Sequence, residues 1–347
     1  MSDITAASNR RPPLNMTAWL RSQRDATVKR SMPVLSFPSI SLLGISVEEL
    51  ISNPDRQARG MKAVADRCPD MLAAVSMMDL SVEAEAFGST IRVSGDEVPT
   101  VVGRIIETPE DAQALKVPSV DAGRTGRYVQ AIAQAAALIT DRPVFAGVIG
   151  PFSLAGRLMD MTEIMINCYE NPEMVEATIG KTAAFLEAYI KEYKKIGANG
   201  VVMAEPAAGL LSPDLAEAFS TKFIKRIAAE VKDDNFAFIY HNCGNTIPLL
   251  GSILTIQADA YHFGNMIDIG KVLEAVPPDT LVMGNIDPVS VLRNGTPETA
   301  RAAVLDLLGR CAKHPNWIIS SGCDIPPLTP WANIDAYFSA IREFYGA

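Results

Sequence analysis

From Pro33 onward the chain alternates short apolar runs with longer stretches of helical spacing. Eight runs read as strands: residues 34–37, 71–78, 144–149, 200–204, 236–240, 259–261, 281–283 and 317–320. Most end at a polar residue or at glycine, as buried parallel strands do where they leave a sheet. Between them, residues 128–140, 172–196, 213–231, 297–313 and 332–345 carry apolar positions at helical spacing, and Gly197 is a stop signal for the second of these. Strand and helix in alternation predict an α/β fold, a (β/α)8 TIM barrel, over residues 31–347. Residues 80–125 break the rhythm. The apolar stretches 91–93 and 98–102 flank Ser94-Gly95-Asp96 and predict a hairpin excursion from the barrel. Residues 1–30 are polar and mixed, and read as an N-terminal arm with a short helix around 15–28.

Charge and cysteine usage narrow the partners. The 347 residues include 40 acidic and 31 basic side chains, a net charge of −9. No basic stripe exists to neutralise phosphates, which argues against a nucleic-acid partner. No apolar run reaches the roughly 18 residues that a membrane span needs. Arg10 and Arg11 are followed by no apolar stretch, so no signal peptide is expected. The five cysteines, 68, 168, 243, 311 and 323, form an odd, scattered set. That pattern fits a reducing cytoplasm better than a disulfide framework, and frees individual cysteines to act as ligand or nucleophile.

In a barrel of this kind, active-site groups stand at the C-terminal strand ends. Asp79, Glu205, His241, Cys243, His262, Asn285, Asp287 and Cys323 all fall there, including two of the three histidines. His241 and Cys243 are two apart at a strand end, so both side chains project to one side. Imidazole nitrogen and thiolate sulfur suit a borderline-soft ion such as zinc. The alternative is a buried cysteine beside a hydrogen-bonded histidine. Gly322-Cys323, followed by Pro326-Pro327, places a second sulfur at the mouth from a distant strand, so a shared metal would have to lie near the barrel axis. His262 reads either as a catalytic group or as a satisfied near-core histidine. Cys68, Cys168 and Cys311 read as core or surface fillers, and His314 as a solvated turn residue. Gly150-Pro151 opens a helix whose loop amides are suited to an anion or a cofactor edge.

The segments VFAGVIGPFSLAGRLM (144–159), GVVMAEPAAGLLSPDLAEAF (200–219), YHNCGNTIPLL (240–250), LVMGNIDP (281–288) and SGCDIPPLTPWANI (321–334) resemble the uroporphyrinogen decarboxylase superfamily. The nearest branch looks like its zinc-dependent corrinoid methyltransferases, typified by methylcobamide:coenzyme M methyltransferases. The resemblance implies a (β/α)8 barrel with zinc held by His241, Cys243 and Cys323. It implies Glu205 as a fourth ligand displaced by substrate or as a nearby base, and Asp79, Gly150, Asn285 and Asp287 as substrate- or corrinoid-facing. It also implies a corrinoid presented by a small partner protein, docking near loop 150–161 and its methionines, and a small thiol as methyl acceptor. The reverse role, methyl transfer from a small methoxy or methylthio donor to cobalt(I), has the same ligand needs. A porphyrinogen decarboxylase is a further alternative, but the arginine-rich signature of those enzymes (Arg-Gln-Ala-Gly-Arg) is broken here as Arg56-Gln57-Ala58-Arg59-Gly60. A zinc-stabilised binding barrel without turnover is the last.

Overall fold

The computed structural model describes residues 14–346. Seven parallel strands curl into one sheet in the order β1 (Ala74–Val75), β4 (Val144–Ile149), β5 (Gly200–Ala204), β6 (Ala237–Asn242), β7 (Ala260–Phe263), β8 (Val282–Ile286) and β9 (Trp317–Ser321). The remaining two, β2 (Thr90–Arg92) and β3 (Thr100–Val102), form the antiparallel hairpin expected within residues 80–125, with Ile91 opposite Val101.

The expected first strand, 34–37, is not a strand. The gap between β9 and β1 is closed by residues just before it. Ser31 bridges Met71 in parallel, Met32 N–H donates to Ile319 O at 3.3 Å, and Leu72 N–H donates to Ser31 O at 2.8 Å. Pro33 has no N–H to give to a ladder, so this stave is held by scattered bonds. The second strand is likewise shorter than the expected 71–78. Two later strands run further than their apolar cores: β7 extends through His262, and β8 through Asn285. Polar side chains therefore sit within the ladder, held by backbone hydrogen bonds on both sides.

Two apolar layers fill the molecule. Between sheet and helices, the 24-residue helix Pro172–Lys195 buries Val175, Ile179, Leu186, Ile190 and Tyr193 along one stripe. Inside the barrel, Phe145, Val202, Ala204, Ala237, Ile239, Ala260, Met283 and Ile318 pack with Met16 and Leu20 of the N-terminal helix Met16–Asp25. That helix is capped by Asn15 and closes the end of the barrel opposite the catalytic-type residues. The inner layer sets the parity of each strand. Ala237 and Ile239 face the axis, so His241 does too; Ala260 faces it, so His262 does.

The excursion after β1 is tied down by polar groups. The buried Asp79 accepts from Arg124 Nη1 at 2.5 Å, from the Tyr128 hydroxyl at 2.6 Å and from the Ser81 hydroxyl at 2.5 Å, while Arg124 also pairs with Glu85. Backbone N–H groups of Ile105 and Ile106 then donate to Leu158 O, docking the excursion on the helix Pro151–Met159.

Candidate metal centre

In the parallel register His241 of β6 lies beside His262 of β7, and Asn285 of β8 lies beside Ser320 of β9. Cys243 follows His241 by two residues and keeps its inward parity. Cys323 enters from the loop after β9. One ligand atom from each of His241, Cys243 and Cys323 lies within 4.8 Å of the other two. Among the described residues this is the one such group of three or more. His241 is buried, while both cysteines are partly open to solvent at the mouth. Gly264 makes the approach possible: a Cβ there would collide with the Cys243 backbone. The Cys323 thiol beside it and the His241 imidazole hold Cys243 well below the usual thiol range, toward thiolate.

A chain of hydrogen bonds fixes which nitrogen His241 offers. The Ser320 hydroxyl donates to Met32 O at 2.7 Å, so its oxygen is left to accept from His262 Nε2–H, also at 2.7 Å. Burial, with His241 alongside, pushes His262 well below the ordinary imidazole value, so it is neutral and its Nδ1 is bare. His241 Nδ1–H therefore donates to His262 Nδ1 at 2.7 Å, with His262 O a further acceptor at 3.2 Å. That leaves His241 Nε2 as an unprotonated donor. It is buried and has no hydrogen-bond partner. An orphaned imidazole lone pair beside two sulfurs, with its other nitrogen locked from behind, fits a metal ligand and its outer support. Nitrogen and two sulfurs are a donor set for zinc, short of the fourth position that a catalytic site keeps for substrate. His262 does not reach the mouth; it orients a neighbour.

Other expected residues lie elsewhere. Glu205 has the opposite parity to Ala204 and faces away from the axis. Its carboxylate accepts from Phe152 N and Ser153 N at 2.9 Å and from the Ser220 hydroxyl at 2.9 Å. Both oxygens are used, neither toward His241, Cys243 or Cys323. Gly150 does precede a helix N-terminus, but the amides there are taken by the Glu205 carboxyl group, and a Cβ on Gly150 would strike it. Asn285 donates its amide to Gly264 O at 3.0 Å and Ile267 O at 2.8 Å, bracing the turn behind Cys243. Asp287 caps the following turn by accepting from Val289 N and Ser290 N. Asp79 is consumed by Arg124 and Tyr128. Arg56 is half-buried and Arg59 exposed, and they pair with Glu49 and Asp55.

Several mouth residues went unread in the sequence. Asp324 Oδ2 accepts from Met78 N at 2.6 Å, its Oδ1 has no partner, and burial pushes the carboxyl up to about 8. Glu83 is likewise buried and pushed up to about 8. The helix Pro151–Met159, expected to offer apolar surface to a partner, buries Phe152, Leu154, Leu158 and Met159 completely or nearly so. Exposed apolar groups stand instead on the loops after β5, β7, β8 and β9: Leu210, Met266, Val289 and Leu328. No helix among the described residues is long and apolar enough to cross a membrane.

Comparison with known proteins adds to this geometry. The family model for uroporphyrinogen decarboxylase (URO-D) matches residues 36–344. A methylcobamide:CoM methyltransferase of Methanosarcina mazei is 30% identical over 275 residues, covering 77% of this chain and 78% of its own. A uroporphyrinogen decarboxylase of Coxiella burnetii is 26% identical over 293 residues, covering 78% and 77%. Among solved structures, a methyltransferase from Methanosarcina mazei superposes with a TM-score of 0.82 at 22% identity, covering 96% of this chain and 99% of that one.

Proposed function

The chain belongs to the uroporphyrinogen decarboxylase family, and within it we propose that it is a zinc-dependent methyltransferase of a corrinoid system, moving a methyl group from a methylated corrinoid protein to the sulfur of a small thiol. The observation that carries this reading is the convergence of His241, Cys243 and Cys323 around a buried imidazole nitrogen with no partner. The greater likeness to a methylcobamide:CoM methyltransferase than to the decarboxylases supports it. So does the placement of Arg56 and Arg59, which are occupied in surface ion pairs rather than gathered for substrate carboxylates.

His241, Cys243 and Cys323 would hold the zinc. When bound, zinc supplies an open coordination position that favours thiolate over thiol at neutral pH. The protein's own part is placement and charge. The two cysteine sulfurs offset the cation's charge, which keeps a thiol partner electron-rich. The wired His241 stays a neutral donor and adds no charge. The inner apolar layer below, from Ile239 and Met283, keeps water from the underside of the site. Displacement of methyl from cobalt needs no general base; positioning carries the rate. Leu210, Met266, Val289 and Leu328 ring the mouth and offer the corrinoid protein an apolar landing surface. The five cysteines are free, in keeping with work in a reducing cytoplasm.

The test uses the zinc-loaded protein, free methylcobalamin and a panel of small thiols. Loss of the methyl–cobalt absorbance is expected with at least one thiol, and removal of zinc by a chelator stops it. An unchanged spectrum with every thiol contradicts the reading.

A further inference from the structure

The barrel is least tied where β9 meets β1. Among the described residues no ladder joins the two, and the stave between them is held by scattered bonds. Cys323 leaves the sheet at this seam, on a short strap anchored at both sides. On the β8 side Gly322 N–H donates to Ile286 O at 2.6 Å, and Asn265 packs so closely that a Cβ on Gly322 would strike it. On the far side Ile325 N–H donates to Val34 O at 3.0 Å. Between these anchors Asp324 Oδ2 accepts from Met78 N–H at 2.6 Å, just beyond the end of β1. The other two candidate ligands have braces of their own. His241 is held from behind by His262. Cys243 is framed by Asn242, whose Oδ1 accepts from Gly244 N–H at 2.8 Å and whose amide donates to Glu205 O at 2.6 Å. Gly264 N–H adds a bond to Asn242 O at 3.0 Å.

Asp324 is the corresponding group for Cys323. The two are chain neighbours, so fixing the Asp324 carboxyl fixes the backbone that sets the direction of the Cys323 sulfur. Only one carboxyl oxygen is engaged; Oδ1 is buried and has no partner. Burying a carboxyl with one oxygen unanswered costs stability, whereas the flanking anchors manage with backbone carbonyls. The cost is met at the point where the ring of strands is open and a candidate ligand must be held. We infer that Asp324 is a positioning residue for Cys323: bonded to Met78 N–H across the seam, it holds the Cys323 sulfur where it meets His241 and Cys243. It acts through Cys323 and touches no reacting atom. This rests on the reading of the three residues as zinc ligands. The group that supports a ligand from behind governs how tightly the metal is held.

The experiment measures zinc affinity of the full chain by competition with a chromogenic chelator, in the wild type, Asp324→Ala and Asp324→Asn. Asp324→Ala is expected to bind zinc about 10- to 100-fold more weakly, the usual scale for loss of a ligand's outer support. Asp324→Asn keeps an oxygen for Met78 N–H and stays close to the wild type. A second readout uses metal-free protein, iodoacetamide and mass spectrometry. Alkylation of Cys323 speeds up in Asp324→Ala and not in Asp324→Asn, while the buried Cys68, Cys168 and Cys311 keep their wild-type rates. A general loosening of the fold would raise those three as well. Unchanged zinc affinity or unchanged Cys323 alkylation in Asp324→Ala overturns the inference, and so does an Asn variant as weak as the Ala variant. If the Ala variant does not fold, Asp324→Glu takes its place. It moves the oxygens by one methylene and is expected to weaken zinc about tenfold; unchanged affinity overturns the inference. A wild type that binds no zinc removes the ligand reading itself, whereas a wild type that binds zinc regardless of residue 324 removes the Asp324 role alone.

Discussion

Replacing Cys243 or Cys323 with alanine abolishes zinc binding and methyl transfer together. Zinc bound by a full structural ligand set is worth about 10–16 kcal/mol, so one ligand of about four carries roughly 3–4 kcal/mol, a loss of about 100- to 1,000-fold in affinity. Purified variants should hold little metal by elemental analysis and leave the methylcobalamin spectrum unchanged with thiols that the wild type uses. The folded state should persist, because both sulfurs lie at the open mouth and neither belongs to the two apolar layers. A variant that keeps full zinc and full rate removes that cysteine from the site.

The second expectation concerns the bonds behind His241. His262→Phe keeps an aromatic ring in the inner layer but removes the closer acceptor of His241 Nδ1–H, leaving it only the backbone carbonyl of residue 262 at 3.2 Å. His241 is then held less firmly, and its proton can move to Nε2, the nitrogen that faces the sulfurs. Zinc affinity should fall about 10- to 100-fold, the usual scale for loss of a ligand's outer support. Ser320→Ala should fall between this and the wild type, since it leaves His262 Nε2–H without its acceptor but keeps the imidazole pair. A competition titration against a chromogenic chelator measures both. Unchanged affinity in His262→Phe means that the relay has no bearing on the ligand.

How much of this was legible in the chain varies with the physics behind each residue. The convergence of His241, Cys243 and Cys323 was readable. Strand parity alone puts His241 and Cys243 on one side, and a barrel brings distant strand ends to one mouth. The relay was not. It depends on the register that sets His262 beside His241, and on a Met32 carbonyl from a stave that Pro33 disguises as loop. The role of Glu205 was misread for a related reason. The strand before it, Gly-Val-Val-Met-Ala, is apolar throughout, so no alternation says which face is inward. Only the packed structure shows Ala204 at the axis and the glutamate turned outward, against a helix start. Gly150 illustrates the same limit: its small size is explained by a carboxylate 55 residues away, not by a ligand.

The central claim is that one cation is shared by His241, Cys243 and Cys323. X-ray absorption at the zinc edge of the purified wild-type protein tests it most directly. The account predicts about one zinc per chain with two sulfur neighbours at about 2.3 Å and a nitrogen neighbour at about 2.0–2.1 Å, and a third sulfur once an accepted thiol is added. A shell of nitrogen and oxygen alone, or a protein that binds no zinc, would contradict it.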